Sequence, residues 1–306
     1  MAGNVLISAV RLTRPINLLI ILATMVGVYF YLNKCNPTIA VNTIYFSLLA
    51  ISTVLIAAGG NIINDYYDLK ADQINKPSKV ILSKNISKEL SLKIYILLNS
   101  LALSLGLYLS FILDTFWFAG IHTFCILLLW FYSYYLKKIL FLGNLLIAGL
   151  TGFIPLYAAS LYSFGPVLKI YSRENPKEWF DSFYFEFIII LAVFALLQNL
   201  VREIWKDAAD IEGDQTIGVV SIPIKFGIKK TQRIIGFTLL IEIALFSFYL
   251  DRLELQLSLG SFILFGVALS INILILILMY KKELFIKYCD FLLKLSMVIG
   301  LSTLYF

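Results

Sequence analysis

The sequence is poor in charge. Only 14% of its 306 residues are Asp, Glu, Lys or Arg, while 60% belong to the set AVILMFWYC. An ordinary soluble domain carries about 25% charged residues. That balance excludes a soluble globular enzyme, a disordered chain and a nucleic-acid binder. Histidine occurs once, at His122, which excludes a histidine-rich metal site. Cysteine occurs at Cys35, Cys125 and Cys289. An odd number at wide spacing gives neither a disulfide framework nor a zinc knuckle. There is no Walker-type phosphate loop and no D-x-D-x-D-G calcium loop. No small-residue cleavage site follows the first apolar run, so that run is expected to be an uncleaved helix. The net charge of +6 is what orientation in a membrane and anionic headgroups call for, with no nucleic acid needed.

What the sequence has in abundance is apolar runs long enough to cross a bilayer, which takes about 20 residues. They fall at 15–33, within 35–64, and at 94–113, 115–136, 139–168, 182–201, 234–250, 255–280 and 288–306. The expectation is therefore an all-α membrane bundle of nine transmembrane helices, forming one domain over residues 1–306, with residues 1–13 along the interface. The ninth run is the weakest, because it contains Asp290 and Lys294. The loop at 169–181 is read as structural. Nineteen of the 25 lysines and arginines fall on the side that holds the N-terminus and the loops after the even-numbered helices, and five fall opposite. By the positive-inside rule the N-terminus is cytoplasmic and, with nine spans, the C-terminus outside.

Two of the cytoplasmic loops begin with the same pattern. After the second helix, Asn61, Asn64, Asp65, Asp68 and Asp72 precede Lys76 and Lys79; after the sixth, Arg202, Glu203, Lys206, Asp207, Asp210 and Asp214 follow in turn. Both contain D-x2-D-x3-D, related by a shift of 142 residues that also lays Asn61 on Glu203. This is an internal repeat that preserves chemistry. At 100° per residue, each set spans an arc of about 60° on a helix. Each is thus a carboxylate stripe on one face, if helix reaches that far. Like charges so spaced repel, so cations are needed beside them. Carboxylates without histidine or cysteine suit hard ions, and magnesium typically bridges one or two carboxylates to a phosphate.

The N-D-x-x-D-x-x-x-D and D-x-x-D-x-x-x-D pair resembles the UbiA superfamily of intramembrane prenyltransferases. Arg14-Pro15-Ile16-Asn17 is similar to that family's R-P-x-N motif. Asn75-Lys76-Pro77-Ser78-Lys79 resembles its N-R-P-x-R segment with lysines for arginines, and the block running from Tyr132 through Lys137 and Lys138 to Gly143-Asn144 resembles its Y-S-x-x-L-K-R…G-N block. The resemblance implies Mg2+ held by Asp65, Asp68, Asp72, Asp207, Asp210 and Asp214, with Asp65, Asp68, Asp207 and Asp210 essential to catalysis. It implies substrate contacts from Arg14, Asn17, Asn61, Asn64, Lys76, Lys79, Tyr132, Lys137, Arg202 and Lys206. Its substrates are a prenyl diphosphate and a lipophilic acceptor, within membrane lipid and with no protein partner implied. The R-E-x-x-K-D-x-x-D-x-E-G-D form at 202–214 resembles the branch that makes digeranylgeranylglyceryl phosphate, which implies geranylgeranyl transfer to geranylgeranylglyceryl phosphate. The alternatives are an aromatic prenyltransferase, a terpene cyclase of the same superfamily and a secondary transporter. His122 is expected to be a satisfied bundle residue, Glu242 and Asp290 stay outside the site, and the Gly59-Gly60 pair is a candidate for packing or a kink.

Overall fold

The structure is a computed structural model describing residues 2–35, 41–78, 80–164, 183–254, 258–279 and 282–306. The 169–181 loop and Lys79 lie outside the described residues. The helices are α1 Ala2–Leu12, α2 Pro15–Cys35, α3 Thr43–Asn75, α4 Lys88–Ile112, α5 Trp117–Tyr134, α6 Leu142–Phe164, α7 Phe183–Ala209, the short α8 Ile211–Thr216 and α9 Ile222–Phe226, then α10 Ile228–Glu254, α11 Leu259–Leu278 and α12 Lys282–Ser302. Among the described residues there is no strand. Nine helices among these residues are long and apolar enough to span a bilayer: α2 to α7 and α10 to α12.

Local chemistry sets the ends that matter. Pro15 opens α2, where its missing N–H costs nothing. It also disfavours the right-handed helical conformation at the residue before it, and Arg14 takes the left-handed one, φ 56°. The Asn42 side chain accepts from Ile44 N–H (2.8 Å) to cap α3, and Ser87 accepts from Leu90 N–H (3.1 Å) to cap α4. Pro77 stops α3, because the residue before a proline is pushed out of helix; Lys76 has already left it, at φ −144° and ψ 56°. The apolar run ends near Asn64, yet helix continues to Asn75, so all of the first stripe stands on α3. No residue between 61 and 75 breaks a helix. Gly59 and Gly60 lie inside this unbroken helix and serve packing: a Cβ would strike Asn99 at 2.6 Å or Leu129 at 2.9 Å. Close approach at small residues is how helices associate where lipid removes the hydrophobic drive.

The helices pack most closely as the pairs α3–α4, α6–α7 and α11–α12, with α2 against α3 and α6. The interior away from the aspartates is aromatic: Phe194, Phe246 and Phe265 meet with centroids 4.9–5.9 Å apart. His122 is fully buried; its Nε2 lies 2.7 Å from Ser52 Oγ and its Nδ1 lies 2.9 Å from the Tyr157 hydroxyl, the satisfied histidine that was expected. Glu242 is sealed among Gln198, Asn272 and Ser296, far from the stripes along the sequence, and accepts from both amides at 2.9 Å. α1 exposes Leu6, Ile7 and Val10 while burying Ser8 and Leu12, as an interfacial helix does. Lys34, at the end of α2 away from Arg14, donates to the carbonyl of Phe306 (3.1 Å). The C-terminal residue thus lies at the end of the bundle opposite to the aspartates.

Candidate active site

Arg14, the ends of α3, α5 and α7, and the start of α6 converge around the mouth of an apolar cavity of about 280 Å³. Of the predicted substrate contacts, Arg14, Asn17, Asn61, Asn64, Tyr132, Arg202 and Lys206 line it. Deeper in, its wall is apolar, with Ile121, Phe153 and Tyr157 among the lining residues. Lys76 and Lys137 do not line it; each lies on a carboxylate instead.

The carboxylates are clasped one at a time by groups from elsewhere in the chain. Arg14 pairs with Asp65 and Lys137 with Asp68, which also accepts from Asn64 Nδ2 at 2.9 Å. Lys76 Nζ donates to Asp210 Oδ2 (2.5 Å) and Asn144 Nδ2 to Asp207 Oδ2 (2.8 Å). Asp72 and Asp214 have no such side-chain partner among the described residues. The strained backbone at Arg14 is pinned by Asn61, whose Nδ2 donates to the Thr13 carbonyl at 2.8 Å; the R-P-x-N motif thereby aims a guanidinium across to α3. Burial opposes the charge on Arg14, yet Asp65, Glu203 and Asp72 outweigh it and push its pKa up, so both halves of the molecule act on this one cation. Tyr132 likewise sits within electrostatic reach of Asp68, Asp207 and Glu203.

The connector between the halves explains its own motif. Gly143 is tight because a Cβ there would meet Lys137 Cα at 2.9 Å and the Tyr132 ring at 3.4 Å. Lys137 can therefore turn to the first stripe while Asn144 turns to the second.

The second stripe is not one helical face. α7 ends at Ala209, and Asp210 (φ −110°, ψ 14°) separates it from α8, which carries Asp214. Asn75 holds the break: its Nδ2 donates to the Asp210 carbonyl (2.9 Å) and its Oδ1 accepts from Gly213 N–H (2.7 Å). Gly213 is required, because a Cβ would press into the Ala71 carbonyl oxygen and the Asn75 amide. It is therefore α8 that carries the second stripe onto α3. Asn75 and Asn144 were legible only as parts of family segments. Asp290, set aside by the sequence reading, belongs to this neighbourhood: it accepts from Arg202 Nε at 3.1 Å and Lys294 Nζ at 2.5 Å.

Among the described residues no three carboxylates form a ready-made metal cage. That suits magnesium, which usually takes one or two carboxylates and completes its shell with water and phosphate oxygens. Asp210 Oδ1 is buried with no hydrogen-bond partner, an acceptor whose cost in isolation calls for a cation. The Asp214 carboxyl is pushed up to about 7 by burial and by Asp210 and Asp68, against the pull of Lys137 and Lys76. The donor set fits a hard divalent cation.

A helical membrane bundle with an acidic and cationic rim around an apolar pocket defines an integral multi-pass protein built for an amphiphile with an anionic head. The sequence pattern of the UbiA prenyltransferase family matches residues 20–296, and the chain belongs to that family. It is 36% identical over 195 residues to a digeranylgeranylglyceryl phosphate synthase of Methanobrevibacter smithii, a stretch covering 63% of this chain and 62% of that one. It is 34% identical over 230 residues to the Thermococcus sibiricus protein of the same name, covering 74% and 70%. A solved structure described as digeranylgeranylglyceryl phosphate synthase superposes with a TM-score of 0.65 at 28% identity, covering 98% of this chain and 97% of that one. A UbiA homolog from Archaeoglobus fulgidus bound to GPP and Mg2+ shares the fold, with a TM-score of 0.58 at 16% identity and coverage of 98% and 100%.

Proposed function

We propose that the protein transfers a geranylgeranyl group from geranylgeranyl diphosphate to the free hydroxyl of geranylgeranylglyceryl phosphate, forming an ether lipid, with Mg2+ as cofactor. The observation that carries this reading is the set of carboxylates, most of them held by cations and amides, at the mouth of an apolar pocket, with the buried Asp210 Oδ1 left without a hydrogen-bond partner. The names of the relatives supply the acceptor.

Asp68, Asp72, Asp210 and Asp214, with Asp65 and Asp207 behind their cation and amide partners, would hold the metal. Bound there, it neutralises charge that builds on the departing diphosphate. Arg14, Lys76, Lys137 and Lys206 add fixed positive charge at the same mouth, and Lys79 is assigned with them on its motif. Such preorganised charge acts where it develops, and so speeds cleavage of the allylic C–O bond. Asn17, Asn61, Asn64 and Tyr132 orient the head, and the apolar wall holds the tail and excludes water from the allylic cation. The acceptor oxygen forms the new C–O bond, the electron pair of the old one leaves on diphosphate, and the hydroxyl proton leaves with it. The chain acts as a single domain, with this mouth and the N-terminus cytoplasmic and the C-terminus outside. The excess of basic residues on that face supports this orientation.

The test offers purified protein geranylgeranyl diphosphate, Mg2+ and one acceptor at a time: the glycerophosphate ether, 4-hydroxybenzoate or a dihydroxynaphthoate. The expected product is the diether lipid from the first alone. An aromatic product without ether overturns the acceptor; a hydrocarbon or alcohol formed without any acceptor indicates a cyclase. Uptake into proteoliposomes without chemistry indicates a transporter.

A further inference from the structure

The cavity wall carries four cations, Arg14, Arg202, Lys206 and Lys294, against one carboxylate, Glu203. Two of them are committed close to the aspartate mouth: Arg14 to Asp65, and Lys206 to Glu203 at 2.6 Å. The other two share a carboxylate that does not line the cavity. Asp290 takes Arg202 Nε on one oxygen and Lys294 Nζ on the other. Arg202 also reaches Glu203 through Nη1 at 3.3 Å, which leaves its Nη2 without an acceptor among the described residues. Asp290 therefore joins α12 to α7 and presents two positive groups side by side while keeping its own charge behind them.

A simple i,i+4 salt bridge on a helix surface accounts for Asp290 and Lys294 alone. It does not account for Arg202 joining the pair, nor for a lysine facing the cavity from within a span, Tyr288–Tyr305. Charges inside spans are costly and mark ligand sites. The two sides of the cavity also differ in kind. On the aspartate side an anion needs a metal between itself and the carboxylates. On the Arg202–Lys294 side it does not, because a guanidinium and an ammonium can hold phosphate oxygens directly.

We propose that Arg202 and Lys294, set side by side by Asp290, form a second anion subsite that binds the phosphomonoester of the acceptor. This rests on the prenyl-transfer reading above. In such an acceptor the nucleophilic hydroxyl sits on the carbon next to the phosphate-bearing one. Holding the phosphate fixes the hydroxyl, and the separation keeps two anionic heads from competing for one cation set. Asp290 is then a positioning residue and Lys294 a specificity residue.

The experiment compares wild type with K294Q, K294R, R202K and D290N. First, binding of an unreactive probe is measured without metal or donor: the glycerophosphate ether with its hydroxyl methylated. Second, KM is measured separately for acceptor and donor. K294Q is expected to weaken probe binding and raise acceptor KM by about tenfold, as for one lost charge-assisted contact, while donor KM stays within about twofold. K294R restores acceptor KM, which shows that the site and not the fold was lost. R202K and D290N are expected to raise acceptor KM while leaving donor KM alone. Unchanged probe binding in K294Q, or an equal rise in donor KM, overturns the subsite. If no variant makes ether product, the transfer reading fails, and the metal-free probe still decides: weaker binding by K294Q upholds an anion subsite, equal binding removes it.

Discussion

In the first half of the molecule Asp65, Asp68 and Asp72 stand on one unbroken helix, and the cations Arg14 and Lys137 clasp Asp65 and Asp68, the latter together with Asn64. In the second half the same spacing is split between α7 and α8. There Asp207 is held by an amide, Asn144, and Asp210 by Lys76, which belongs to the first half. The position matching Asn61 is Glu203, a half-buried acid that draws in both Arg202 and Lys206. Asn61 itself bonds backbone. A repeat in sequence has thus become two different structures. The first stripe is a continuous rail, and the second is a broken one fastened to it by Asn75 and Lys76. The halves are therefore interlocked, so that damage to either should disable both.

The largest effect is expected where a carboxylate meets both a cation and the mouth. Asp68→Asn and Asp210→Asn should each lower transfer about a thousandfold, in the range of losing a preorganised electrostatic group, with folding retained in a thermal scan. A mild loss from one and total loss from the other would show that the clusters work separately. Next comes the fastening. Gly213→Ala puts a Cβ into Ala71 and Asn75, costing about 1–3 kcal/mol as an overpacking change, and should reduce activity more than it reduces stability. Gly149→Ala, where nothing lies within 4 Å, is the matched control and should be silent. Asn75→Ala removes both bonds across the break and should cost about 1–3 kcal/mol; full activity at wild-type stability would mean the break holds itself. The smallest effect is in pH. Asp214, raised from the ordinary 3.8 to about 7, holds its proton more tightly folded than unfolded. The metal-free protein should therefore lose stability as pH rises from about 4 to about 7. Asp214→Asn should flatten that slope in melting temperature; an unchanged slope would assign it elsewhere.

Much of this was legible before any coordinates. Nine apolar runs match nine spanning helices among the described residues because each needs only length and hydropathy. The stripes and the Arg14, Tyr132 and Lys137 motifs pointed to the mouth, since charge at a membrane face is rare enough to stand out. Hydropathy could not follow α3 past Asn64, where polar residues begin although helix continues. Nor could it foresee the break at Asp210, since Ala208 and Ala209 favour helix. The break is held by Asn75, 135 residues away. Asp290 and Lys294 looked like defects in the weakest span because their partner, Arg202, lies on another helix.

In the proposed reaction one carboxylate cluster from each half jointly handles the diphosphate through a divalent cation. Binding of radiolabelled geranylgeranyl diphosphate to purified protein, titrated with Mg2+ and with EDTA, tests it most directly. Binding is expected to require Mg2+, to vanish in EDTA, and to be lost equally in Asp68→Asn and Asp210→Asn. Undiminished binding in EDTA, or loss in one of these variants alone, would contradict it.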